Sequence, residues 1–302
     1  MGETTLSFYL PFEIVDDGEY QVSIEGREAS LNIKREQRCN EDFEKLSGFA
    51  VEGTGSVTIT RDPWGISGFT RVVVRIPRYV PFEECRLEAQ RYLNRLIQVW
   101  RFFTRYHWLP YVADDAILSF ERSIQEAKRK SEAIFGFGVF NKFFYPSRTI
   151  EPNRVIASIR AGLSDELRIP IHEELRLTAR DHFDKGQFNL AVIEMNIAFE
   201  SLTAEILRSR LKETGLSDRD VEKRMDRYLP SSMHQLLDKV LKEVDGRSLR
   251  TESHLWKKFE RARLVRKNSV HPYIRDLQAG EAAEALFALE EIMQWLAQPW
   301  KT

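Results

Sequence analysis

Arg266 and His271 stand in the run Arg266-Lys267-Asn268-Ser269-Val270-His271, and Pro272 follows at once. A guanidinium stays charged and offers phosphate oxygens a planar fork of donors. An imidazole is the side chain whose ordinary pKa suits proton transfer near neutrality. Together they have the chemistry to cut a phosphodiester bond without a metal ion. The plain alternative is a structural pair that stabilises a helix end and a dimer seam.

On a helix turning by about 100° per residue, Arg266 falls between Leu255 and Phe259. It sits in the middle of an apolar stripe that Ala262 and Val270 extend. A charge there is costly unless it is paired or used. His271 precedes a proline, which disfavours helical backbone, so it marks the helix end and need not follow the wheel. Upstream, Glu200 shares a helix face with Ile193, Ala204 and Leu207, and Asn196 flanks it. Glu200 is therefore expected either to pair with Arg266 or to orient His271. Lys257, Lys258, Arg261, Arg263 and Lys267 surround the motif with a single acid, Glu260. In a chain of net charge −1 that is a local cationic patch suited to a polyanion. Lys258, Arg263 and Lys267 are the residues expected to contact it.

Spacing alone singles out nothing, because Arg176 to His182, Arg227 to His234 and Arg247 to His254 match a similar pattern. His172, His182, His234 and His254 read as isolated residues. No His-His or Glu-His pair has helical metal-site spacing with supporting ligands, so no metal and no cofactor is expected. Asp114-Asp115 reads as a turn or helix start. Gly53-Thr54-Gly55 lacks the Gly-Lys-Ser/Thr of a phosphate loop and reads as a hairpin. Trp64, Trp100 and Trp108 read as core, with stacking platforms as the alternative.

The elements that must position these residues are helical. Pro170 opens a helix to about Phe183, and Gly186 marks a turn. A long helix spans about 187–213, and a shorter one follows Ser217. Pro230-Ser231-Ser232 caps a helix to about Val244. The Arg266 helix runs from about Ser253 to Ser269, and a closing helix covers about Glu281 to Ala297. The whole reads as an antiparallel bundle. The first half differs. Leu6 to Ile14, Tyr20 to Ile24, Ala29 to Ile33, Ser56 to Thr60 and Phe69 to Ile76 read as strands separated by turn signals. A small antiparallel sandwich or barrel is expected, with Val72-Val73-Val74 in a strand buried on both faces. A long helix covers about 82–106, and its Arg91, Arg95, Arg101 and Arg105 read as a solvated face. Ala116 to Ile124 reads as a further strand. The aromatic stretch 134–149 is left between a hairpin and an inter-domain segment. The fold class is thus α+β, with a β-rich domain over 1–165 and an all-α bundle over 166–302.

Composition bounds the rest. At 302 residues and 42% hydrophobic content, two ordinary domains with cores are expected. A pI near 6.6 argues against a protein that coats nucleic acid along its whole surface. Cys39 and Cys85 lie far apart, as in a reduced compartment. The apolar start, Leu6 to Val15, has no basic leader and is broken by Pro11 and Glu13. With no apolar run near membrane-span length, a soluble, cytoplasmic protein with no membrane partner is expected.

The segments Ile171-His-Glu-Glu-Leu-Arg-Leu-Thr-Ala-Arg180 and Ala191-Val-Ile-Glu-Met-Asn-Ile-Ala-Phe-Glu200, with Gly186 between them, resemble the first two helices of the HEPN superfamily. The name stands for "higher eukaryotes and prokaryotes nucleotide-binding". Arg266 to His271 resembles that family's Arg-x4-6-His signature, followed by one closing helix. The similarity spans about 170–298. The β-rich first half is similar in layout to HEPN proteins of anti-phage defence. The resemblance implies a metal-independent ribonuclease with His271 as general base or acid and Arg266 stabilising the phosphorane. Glu200, Asn196 and Asn268 would support them. It also implies a homodimer, RNA as substrate and a toxin or defence role, with a regulatory protein or phage trigger. The family often carries Asn, Asp or His after the arginine, where this chain has Lys267. Two other readings stand beside it. One is a catalytically silent HEPN module that binds RNA, a nucleotide or a protein. The other puts the function in a lectin-like or peptide-binding β-domain.

Overall fold

The computed structural model describes residues 2–10, 16–38, 67–107, 109–113, 117–125, 132–134, 153–228, 232–270 and 277–298. The chain divides into two compact units, Met1–Arg168 and Ile169–Thr302. That division falls three residues beyond the boundary expected from the sequence.

In the first unit, strands β1 (Glu3–Leu10), β2 (Gly18–Ile24), β3 (Arg27–Arg38), β4 (Ser67–Ile76), β5 (Leu118–Gln125) and β6 (Glu132–Ile134) form one sheet in the order β2-β3-β4-β1-β5-β6. Every pairing is antiparallel. Alternation explains its two faces. Leu6, Phe8, Leu10, Tyr20, Val22, Ala29, Leu31, Ile33, Val72, Val74 and Ile76 are all buried, whereas their odd-numbered or even-numbered neighbours point the other way. Helix α1 (Phe82–Thr104) covers the buried face, touching β2, β3 and β5. Glu83 and Glu84 lie in its first turn, where the helix dipole favours acids.

This corrects the expected sandwich or barrel. Among the described residues the sheet is single and open, because α1 supplies the apolar layer a second sheet would have provided. It also corrects the expectation for Val72-Val73-Val74. The strand is central, between β3 and β1, but Val73 points to the other face and is only half-buried. The expected strand at Ser56 to Thr60 lies outside the described residues, as do Asp114-Asp115, Gly53 to Gly55, Trp64, Trp108, Cys39 and the stretch 135–149. Trp100 is core, edge-on to Tyr20 at 6.0 Å. Cys85 is a buried thiol that donates to Pro81 O at 3.2 Å.

Helix α2 (Asn153–Ser164) was not anticipated. It packs on α1 and β2. Gly162 faces α1 so closely that an added Cβ would lie 3.2 Å from both Phe103 Cε2 and Leu167 Cδ2. The segment after it is fastened to the β2–β3 hairpin. Glu25 and Gly26 take φ values of 53° and 71° in the turn. The Glu166 carboxylate accepts from Ser23 Oγ at 2.6 Å and Gly26 N at 2.7 Å. Those donors, Ser23 first, hold its carboxyl below the usual carboxylate range.

The second unit is helical throughout its described residues. It comprises α3 (Ile171–Asp184), α4 (Phe188–Glu213) and α5 (Asp218–Tyr228). A rod, α6, follows, built from Met233–Gln235, a π-helical turn Leu236–Val240 and Leu241–Asp245. Then come α7 (Ser253–Val270) and α8 (Ala279–Ala297). Ser232 caps α6 through Gln235 in a reciprocal capping box. Helix α4 touches α3, α5, α7 and α8 and is the central rod. Its Val192, Met195, Phe199 and Leu202 join Phe259, Leu286 and Leu289 in one core. A buried acid, Asp245, holds two arginines. Arg247 Nε donates to Asp245 Oδ2 at 2.6 Å. Arg210 Nε lies 3.2 Å from Oδ1, close enough for charge pairing. Arg247 also lies over the Trp295 ring at 4.9 Å. Arg180 grips Glu290 with two bonds, of 2.7 and 2.6 Å.

Candidate functional site

Helices α4 and α7 pack directly on each other, because Phe199 and Phe259 meet with ring centroids 6.0 Å apart. One residue past Phe199 is Glu200, and two helical turns past Phe259 is Arg266. The same packing that joins the rings therefore brings these charges together. Arg266 Nη1 donates to Glu200 Oε1 at 2.5 Å. Arg266 is thus met by Glu200; the other partner considered, His271, lies outside the described residues. Their side chains are 38% and 39% exposed. The arginine expected in the middle of a buried stripe is thus at the stripe's solvent edge. Among the described residues, Nη1 is the guanidinium nitrogen that is hydrogen-bonded. Ser269 Oγ donates to Arg266 O at 2.8 Å, a side-chain bond back onto the helix's own backbone.

His271 lies outside the described residues, so its distance from Arg266 is no part of the geometry. Further along, buried Leu277 donates its N–H to Asn189 Oδ1 at 3.3 Å. Asn196 is buried, and its Nδ2 donates to Val192 O at 2.8 Å within α4. Asn268 is half-buried and Lys267 exposed.

The cationic patch is weaker than its sequence implied. Lys258 pairs with Glu291 of α8. Arg261 Nη2 meets Glu284, also of α8, at 2.5 Å. Arg263 Nη2 lies 3.5 Å from Glu260. The acids missed by sequence reading come from the neighbouring helix, and local sequence carries no signal of them. Lys257 and Lys267 remain exposed with no carboxylate partner among the described residues.

A second imidazole, from α6, packs against α7. His234 Nε2 lies 2.5 Å from Glu260 Oε1, and its ring is edge-on to Trp256 and Phe259 at 5.5 and 5.2 Å. His172 is buried with Nδ1 2.9 Å from Glu205, and His182 Nε2 lies 3.4 Å from Glu194. His254 is exposed, 3.9 Å from Glu291. The arginines expected to form one solvated face of α1 divide. Arg91 is exposed beside Glu88 and Glu25. Arg101 is 4% exposed, lying over Tyr111 at 5.0 Å. Among the described residues no cluster of three His, Cys, Asp or Glu could hold a metal ion, and no helix is long and apolar enough to cross a membrane.

Fold and site together define an α+β protein whose helical unit presents a half-exposed arginine, fixed by a carboxylate, five residues ahead of a histidine-proline pair in the sequence. No known family model, curated protein or solved structure matches the chain.

Proposed function

We propose that the helical unit is a metal-independent endoribonuclease of the HEPN type. One observation carries the reading. Glu200 fixes Arg266 at a solvent-facing seam, immediately before the segment that holds His271. In this reading His271 takes the proton of the ribose 2′-hydroxyl as its oxygen attacks phosphorus. The bond to the 5′-oxygen breaks, and that oxygen leaves with a proton. The products are a 2′,3′-cyclic phosphate and a 5′-hydroxyl. Arg266 offsets charge on the non-bridging oxygens, and Asn196 and Asn268 support the site. A homodimer would place a second imidazole opposite the first to serve as the acid. DNA, lacking the 2′-hydroxyl, would survive. The biological role would be a cytoplasmic toxin or phage-defence nuclease, with the β-unit answering to a regulatory protein or phage trigger.

A second reading has its own support. Lys258 and Arg263 already face carboxylates, and Lys267 stands where the family often has Asn, Asp or His. Those features suit a silent module that binds without cutting. One experiment separates the two. Structured and single-stranded RNAs are incubated with the full chain in EDTA. The nuclease predicts cleavage to cyclic-phosphate ends, lowered about 10²-fold or more by His271→Ala. RNA bound but intact over many sequences rejects the nuclease and leaves the module.

A further inference from the structure

The solvent-facing side of the sheet carries an arrangement that its own stability does not favour. Lys34 of β3 stands directly opposite Arg71 of β4 in the register, and both are exposed. Like charges directly opposed across strands destabilise a sheet. Arg75, also exposed, follows four residues along β4, roughly 13 Å further on. Among the described residues none of the three has a carboxylate at ion-pair distance. Arg71 has Tyr9 as its register partner on β1, whereas the positions beside Arg75 carry small hydroxyl side chains. Arg75 pairs with Ser30 on one side and Thr5 on the other. Between the cations, Val73 pairs with Asn32 and Ser7. Acids ring this centre: Glu28 stands two residues before Ser30 and Glu36 two residues after Lys34 on β3, Glu3 two residues before Thr5 on β1, and two more lie on the flanking strands. Glu19 of β2 stands beside Asn32, and Glu121 of β5 beside Ser7. Lys34, Arg71 and Arg75 with the hydroxyl side chains between them thus form a short basic track along β4, bounded by acids at its ends as well as on its flanks.

We infer that this track binds single-stranded RNA along the direction of β4. Phosphates would meet Lys34, Arg71 and Arg75, relieving the Lys34–Arg71 opposition. Ser30, Asn32, Thr5 and Ser7 would donate to phosphates and sugar hydroxyls, groups that single-stranded RNA offers in number. An anionic membrane fits less well, because among the side chains described at this centre none is large and apolar. Binding here does not depend on cleavage by the helical unit, and the two are scored separately.

The test uses the full chain carrying His271→Ala, so that RNA stays intact. Fluorescence anisotropy follows a labelled single-stranded RNA at several salt concentrations. The triple variant Lys34→Gln, Arg71→Gln, Arg75→Gln is expected to bind roughly tenfold or more weakly. Its log Kd against log salt slope should be shallower by about 2, the value for three lost phosphate contacts on a single strand. Unchanged affinity and slope overturn the proposal, as does binding to phosphatidylserine vesicles with none to RNA. Ultraviolet crosslinking of the chain with the track residues intact keeps the question open to refutation if the triple variant misfolds. Crosslinks should fall in β1, β3 or β4, and crosslinks confined to residues 169–302 reject the track.

Discussion

Glu200 and Arg266 are each about two-fifths exposed, so their attraction is screened and contributes about 0.2–1 kcal/mol to folding. Glu200→Gln should therefore shift the melting temperature little. If Arg266 serves a phosphate, the same substitution should lower RNA cleavage well beyond that small change, because the guanidinium loses its fixed orientation. Equal activity in the variant, at equal fold, would remove Glu200 from the site. This pairing was legible in the sequence because both charges sat on otherwise apolar helix faces. The pairing of Lys258 and Arg261 with Glu291 and Glu284 was not, since it depends on which face α8 turns to α7. Glu166 behaves differently from all of these. Its carboxyl is held low by Ser23 and Gly26. A depressed folded pKa contributes stability above the unfolded pKa, and that contribution is lost as pH falls through the folded value. Carboxyl carbon NMR should find Glu166 titrating below a free glutamate, and Ser23→Ala should move it upward.

At the scale of elements, the buried Asp245 ties the end of α6 to α4 through Arg210 and to the following loop through Arg247. Asp245→Ala would leave two partly buried guanidinium groups without their shared counter-charge. A loss of about 3 kcal/mol is expected in urea unfolding, with the midpoint falling and the slope unchanged. The strands were readable because period-two alternation reports one buried face. Alternation does not say what covers that face, which is why a second sheet was expected where α1 lies. Helix α2 escaped notice because its buried residues, Ile159, Gly162 and Leu163, include only two apolar side chains of any size. The basic track on β3 and β4 was equally hidden. Lys34 and Arg71 are far apart in sequence, and only strand register brings them together.

For the whole molecule, each unit has its own core. Residues 169–302 expressed alone should fold cooperatively with strong helical circular dichroism, and non-cooperative melting would show that the core needs the first unit. The π-helical turn at Leu236–Val240 has a consequence for how the chain tolerates changes of length. A π turn closes its ladder one residue later than an α turn does, so it holds one residue more than an ordinary helix would. Deleting exposed Lys239 should let α6 close as plain α-helix, keeping its two ends in phase and His234 beside Glu260. Deleting Lys257 from α7 has no such slack to absorb it. Everything beyond would turn by about 100° and carry Arg266 away from Glu200. Thermal melts of the two deletions should separate widely, marking α6 as the helix where this lineage can gain or lose a codon.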